Sequence, residues 1–483
     1  MKALGPSVPG MCQRDPCVGG YQQPGSDLEM GFLGEDYVVD MTNGRRISAL
    51  GVSLGLGLLA FAWSFLLAAQ QPGGGSISLR MSKALGEAER AADNSASSRS
   101  TSNTKKGGSD GGRRSGARGV SLELSTGLRS DDNVFRSTFN TQRDVIVETK
   151  PKIYLDGRLG KHSFRLGYEG KLGRYQQFRG ENYFDHKLLG AMKFDFDRRL
   201  KANLKTSLEY GHDARGDLAT RTTLSATPDR WHKHDISSEM ILGRRIAKAQ
   251  IGAKFGISGI RYMNNSQGLR DFDENDLRLF GRYNLTPRFT LLGELSGAWT
   301  DYLNPASDQS AREFIGLGGI AWEATAKTSG QIKVGIRHRD FNTAGIPSTT
   351  GLTWDAKLVW SPKSYSKVTA YTSREVNASA RQGSGGLTST DTYGLKWRHS
   401  LTRKLRFETG FQRAQAGISD ILTDRLFDFN AGIRYQMNRW IDLTANWKYS
   451  SLSSSDGRSD FEANSVFIGF DAKLSRRLKG NKE

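Results

Sequence analysis

Cysteine, proline and long apolar runs are scarce in this 483-residue chain. The two cysteines, Cys12 and Cys17, lie ahead of the one long apolar run, so a mature protein cut after that run has neither a disulfide nor thiol chemistry. Eleven prolines stand against 56 glycines, a ratio that suits a β-rich, turn-rich protein better than a helical one. A mean hydropathy of −0.53 excludes a bundle of transmembrane helices. Catalytic signatures are missing as well. There is no Gly-x-Ser-x-Gly elbow, no phosphate-binding glycine loop and no His-Glu-x-x-His helix, and Gly316-x-Gly318-Gly319 falls in a strand pattern and not before a helix. His232 and His234 share a strand face without an evident third ligand. Carboxylates are plentiful, yet no pair presents itself as acid and base. The expectation is a protein that is not an enzyme and holds no cofactor or metal.

What is present is positive charge and alternation. Sixty-nine Lys and Arg against 50 Asp and Glu give a formal net charge of +19, which points to an anionic partner: nucleic acid, lipid headgroups or an acidic polymer. No nucleic-acid motif accompanies it, so nucleic acid is not expected as the partner. The stretch Lys248 to Gly259 puts Ala249, Ile251, Ala253, Phe255 and Ile257 on one side of an extended strand and Lys248, Gln250, Lys254 and Ser258 on the other. Lys201 to Tyr210, Phe289 to Trp299, Gln331 to Arg339, Leu405 to Gln412, Ile441 to Tyr449 and Val466 to Leu474 repeat the pattern. Membrane-spanning strands need roughly 9 to 11 residues, whereas strands of soluble proteins cluster near about 5 to 6. These copies have the membrane length.

The N-terminal part reads differently. Residues 1–40 lack periodicity and form a disordered or mis-assigned extension, translation starting at Met41 or Met30. Residues 41–69 combine Arg45 and Arg46 with the uncharged run Ile47 to Ala69, which describes a secretory signal; the alternative is an uncleaved membrane anchor. Residues 70–118 shift to Ser, Gly, Asn, Lys and Arg and cannot bury enough apolar surface to offset chain entropy, so they are expected to be a disordered periplasmic linker, with a lumen plug or partner-binding arm as the alternative.

From Gly119 the strands begin, about eighteen of them, with connections that alternate short and long as in bacterial outer-membrane barrels. The fold class is therefore all-β: a transmembrane antiparallel up-and-down barrel over 119–474, with both ends periplasmic and a basic periplasmic tail over 475–483. Trp360, Trp397 and Trp440 beside short links and Trp231, Trp299 and Tyr302 beside long ones suggest two interfacial girdles. Pro151 falls in the middle of the second strand, where a bulge would accommodate it. The acidic stretch Asp271 to Asp276 reads as a solvated outer loop, with calcium binding the lesser alternative.

At Asp131-Asp132-Asn133-Val134-Phe135-Arg136 the sequence begins to resemble the outer-membrane family called putative β-barrel porin 2. The likeness continues through Pro151, His162 to Tyr168, Tyr175 with Phe178, Tyr183 with His186, Glu209-Tyr210 with Arg215-Gly216, Ser459 to Asn464, and Val466 to Gly469. It implies an outer-membrane barrel and an association with export of capsular or extracellular polysaccharide. The chain departs from the common barrel ending by running past Leu474 into a basic tail instead of stopping on an aromatic residue.

If the apolar stripes meet lipid, then Arg165, Lys171, Lys201, Lys205, Lys248, Lys254, Lys333, Arg337, Arg339, Arg406, Lys448 and Lys473 line the lumen. Fewer acids, Glu169, Glu209, Glu294, Glu408, Asp442 and Asp471, oppose them. Rings of Lys and Arg favour anions; the plainer reading is that these charges pair across the wall. The functional expectation is a porin-like channel for an anionic exopolysaccharide or capsule polymer, in contact with outer-membrane lipid, lipopolysaccharide and periplasmic export machinery. A structural or surface-interaction barrel with an occluded lumen and a soluble basic β-protein that binds acidic polymers are the alternatives. Nothing in the sequence sets an oligomeric state.

Overall fold

The computed structural model describes residues 118–478, apart from 217–226, 245–246, 308, 379–386, 419–421, 456 and 458–459. The expected extension, export signal and linker, both cysteines and residues 479–483 lie outside the described residues. In chain order the strands are β1 (Arg118–Asp131), β2 (Asp144–Leu159), β3 (His162–Tyr175), β4 (Tyr183–Asp195), β5 (Leu200–His212) and β6 (Arg230–Leu242). Next come β7 (Ala249–Tyr262), β8 (Phe272–Asn284), β9 (Phe289–Tyr302), β10 (Ala311–Thr325), β11 (Thr328–Phe341) and β12 (Thr349–Lys363). The last six are β13 (Ser366–Ala378), β14 (Leu387–Ser400), β15 (Leu405–Ile418), β16 (Leu422–Gln436), β17 (Ile441–Ser454) and β18 (Phe461–Leu478). Each pairs antiparallel with its neighbours in sequence, and β1 pairs with both β2 and β18, which closes an 18-stranded barrel. Strands run from 13 to 18 residues, beyond the length a tilted strand needs to cross a bilayer. β18 continues to Leu478, opposite Arg118, so the first residues of the expected tail belong to the wall.

Short turns follow from local chemistry. Asp197 accepts the Leu200 amide at 2.7 Å, Thr286 that of Phe289 at 3.1 Å, Thr402 that of Leu405 at 3.0 Å and Asn438 that of Ile441 at 3.0 Å. A short polar side chain thus closes the turn on the backbone three residues on. In the β2–β3 turn Gly160 adopts a φ of +63°, open to glycine at little cost.

Strand alternation then separates two faces. Leu295, Ile468 and Ile251 lie on the outer one and are 64%, 63% and 60% exposed, an arrangement that water would oppose and hydrocarbon favours. Pro151 is also outward, paired with Leu124 of β1. No bulge absorbs it: the β2–β3 register has the same offset at Thr149↔Leu172 and Lys152↔Glu169. Room comes instead from Gly170, where an added Cβ would stand 3.1 Å from the proline ring. The acidic stretch is not a loop. From Phe272 it belongs to β8, and alternation sends Glu274 and Asp276 inward and Asp273 outward. Among the described residues, no three His, Cys, Asp or Glu side chains gather as a metal site.

Candidate functional site: the barrel lumen and its two mouths

Most of the cations expected in the lumen meet a carboxylate on the same inward face. Arg165 Nε is 2.7 Å from Asp156, Lys448 Nζ 3.1 Å from Asp428, and Lys333 Nζ 3.1 Å from Glu294 and 3.9 Å from Asp355. Lys171 lies 4.0 Å from Asp185 and over the Tyr183 ring, and Arg406 is 4.0 Å from Glu408. Lys254 stands opposite Glu239 and Arg278, Lys473 opposite Glu123, and Lys205 opposite Ala191 and Ser237. Lys248 departs from the expected face: it precedes β7 in the turn, with its ammonium 5.5 Å from the ring centre of outward Tyr283. Inward carboxylates nearly match inward cations along the described wall, because Glu148, Asp156, Asp235, Glu313, Asp355 and Asp428 also face the lumen.

The two mouths differ in charge. On the short-turn side every connection, or the residue at its edge, carries an exposed cation: Lys161, Arg198, Arg244, Arg288, Lys327, Lys363, Lys404 and Arg439. Among the described turn residues Asp197 is the only carboxylate. Hydrogen bonds from the Leu200 and Arg199 amides hold its carboxyl below the usual range. Lys201 and Lys205, both exposed, extend this basic ring into the lumen. A recess of about 580 Å³ lies between three of these turns, lined by Lys161, Arg198, Lys201 and Arg244 with Asp195 and Asp197.

On the long-loop side several charges are paired and contacts cross between loops. Arg136 pairs with Asp131 at 2.7 Å, Arg215 with Glu181 at 2.6 Å, and Arg270 with Asp213 at 3.0 Å. Burial pushes the Asp213 carboxyl up, against the pull of Arg270. Phe135 packs edge-on against Phe178 at 4.9 Å, Arg215 lies over Phe135 and Arg136 over Phe461. Asn133 donates to the Glu462 carbonyl, and Asp132 accepts from the backbone and side chain of Asn464. The described parts of the short sequence motifs, 131–136, 175–186, 209–216 and 460–464, therefore meet at one place, where loops reach across the β18–β1–β5 side of the mouth. Inward residues at this end are buried: Glu313, Arg337 and Arg339 are 5%, 6% and 2% exposed. Arg337 and Arg339 approach the same Glu313 oxygen at 3.7 and 3.3 Å, so they form a wall element and not a free cationic ring.

Aromatic placement divides the expected girdles. Trp299, Trp360, Trp397 and Trp440 are exposed, and strand register places Trp299, Trp360 and Trp397 outward. Trp231 and Tyr302 are inward: Trp231 donates to Asp213 at 2.8 Å, and Tyr302 stacks on inward Phe272 at 5.3 Å. Being next to a long loop does not fix a side chain's face. Counting alternation back from Ile236 and forward from Leu295 does, and it puts both inward.

A closed barrel with an apolar exterior, a polar interior and short turns opposite long loops defines a porin-like outer-membrane channel. The chain belongs to the family described as "Putative beta-barrel porin 2", whose model matches residues 110–474. That membership points to a channel rather than an enzyme. Solved structures similar in fold include Pseudomonas aeruginosa OpdO, with 14% identity and a TM-score of 0.43 over 74% of this chain and 97% of that one. Another is Acinetobacter baumannii OccAB3, with 11% identity and a TM-score of 0.42 over 74% of this chain and 99% of that one. A search of curated protein sequences finds no match.

Proposed function

We propose that this channel passes an anionic polymer, a capsular or extracellular polysaccharide, taken up at its short-turn mouth from periplasmic export machinery. The observation that supports this reading is the exposed ring of Lys and Arg on every short turn, continued inward by Lys201 and Lys205. Cations lining a mouth lower the barrier to negative charge and raise its local concentration. The wall beyond is mixed in sign, which gives a sliding polyanion partners without a deep trap.

A second reading, a structural barrel with an occluded lumen, draws on the loop contacts across the opposite mouth. Planar-bilayer recording separates the two. A conducting, anion-preferring channel whose preference reverses in a Lys201→Glu, Lys205→Glu double variant supports the first. Absence of a stable channel supports the second, and an open channel with unchanged selectivity removes these lysines from the path. Loss of surface glycan after deletion of the gene tests the polymer itself.

A further inference from the structure

We infer that the outward wall from β3 to β6, just under the long-loop rim, is a binding site for the headgroup of a doubly phosphorylated, acylated glycolipid of the outer leaflet. A groove of about 820 Å³ lies there. Its charged groups are Arg174 on β3, Arg179 in the β3–β4 connection and Arg230 at the start of β6, with one carboxylate, Asp185, which lies 2.7 Å from His212 Nδ1. Register fixes the face: Arg174 pairs with outward Val147, Leu172 with outward Phe184, and Arg230 belongs to the same alternation as outward Met240.

All three arginines are exposed, and none has an ion pair or side-chain hydrogen bond among the described residues. On the same rim Arg136, Arg215, Arg261 and Arg270 each meet a carboxylate, while Arg143, Arg312 and Arg425 are exposed like the three here. What sets Arg174, Arg179 and Arg230 apart is that they share one groove. Depth in the membrane comes from the rings beneath them. Phe184 and His186 lie 3.8 Å apart between centroids, the Tyr168 hydroxyl is 3.0 Å from His186 Nδ1, and Tyr210 completes the cluster at 6.1 Å from His186. Such amphipathic rings mark the boundary between hydrocarbon and headgroups. Guanidinium groups just beyond it stand where lipid phosphates are, and their forked donors fit phosphate. Leu172 and Phe184 offer the apolar contact that acyl chains need.

Spacing selects the headgroup. β3 and β6 are three inter-strand steps apart, about 14 Å at the spacing of hydrogen-bonded strands. One phosphodiester is too small to engage both sides of the groove, whereas a disaccharide phosphorylated at both ends spans it. The lipid A part of lipopolysaccharide has that chemistry.

The test compares the wild-type barrel with an Arg174→Gln, Arg179→Gln, Arg230→Gln variant in neutral detergent, with retained heat-modifiable migration on gels confirming the fold. Native mass spectrometry titrates each with bis-phosphorylated lipid A, its dephosphorylated form, phosphatidylglycerol and inorganic phosphate. We expect lipid A to bind the wild type at least about tenfold more tightly than the variant, since each lost charge-assisted contact is worth about that factor. An Arg312→Gln, Arg425→Gln control elsewhere on the same rim should bind as the wild type does. Equal binding by the arginine variant, or equal binding of the dephosphorylated lipid, overturns the site. Equal affinity for phosphatidylglycerol or inorganic phosphate overturns the choice of glycolipid.

Discussion

Replacing Glu313 with Gln removes one negative charge from between two buried guanidiniums while leaving shape almost unchanged. Arg337 Nε and Arg339 Nη1 approach the same carboxylate oxygen at 3.7 and 3.3 Å, with side chains 7% and 2% exposed. At an effective dielectric near 20, each contact is worth about 5 kcal/mol of gross attraction. Retained hydrogen bonding by the amide and residual solvation return much of this, which leaves a net loss of about 3–5 kcal/mol, as for a buried charge stripped of its partner. Urea unfolding of the barrel in thin-bilayer vesicles, followed by tryptophan fluorescence, reads the loss directly. Adding Arg337→Met should recover part of it, because one of the two cations that faced the lost charge is then gone. A loss below about 1 kcal/mol in the single variant, the range of solvated surface pairs, would refute the claim that this triad is dry.

Three further outcomes follow from the geometry. Asp197 has a depressed folded pKa, so its contribution to the β4–β5 turn is present above the ordinary carboxylate range and lost as pH falls through the lower folded value; amide exchange at Arg199 and Leu200 should quicken only in that acid window, and Asp197→Asn should move or abolish the step. A lipid-soluble photolabel applied to whole cells should tag Ile251, Leu204 and Phe407 and spare Lys205 and Lys254; the reverse pattern would mean the faces are inverted. An added Cβ at Gly211 would lie 2.8 Å from the Trp231 ring, so Gly211→Val should dislodge that ring from Asp213 and shift tryptophan emission, and an unchanged spectrum would count against the inward position.

Strand number and turn positions were legible in the sequence because period-two alternation and short polar turn residues are local signals. Asp197, Thr286, Thr402 and Asn438 announce the turns, and the structure places them there. Charge balance in the lumen was not legible from a few strands, since partners such as Asp156, Asp355 and Asp428 become neighbours of Arg165, Lys333 and Lys448 only through register. The meeting of residues 131–136 with 460–464 depends on β1 pairing with β18, a contact across nearly the whole barrel sequence. The arginine groove lies between these cases. Parity marks Arg174 and Arg230 as outward, but their company with Arg179 depends on how a loop folds.

Because β1 is hydrogen-bonded to β18 along its whole length, the wall is a ring without a first member. Joining Leu478 to Arg118 by a tight turn and cutting at Gly160 would leave every lateral neighbour in place, so circularly permuted chains should reach the same architecture. In the native order, the opening strand must wait with one flank bare until the closing strand is delivered. Assembly in the membrane thus involves an edge that something else has to shelter in the meantime.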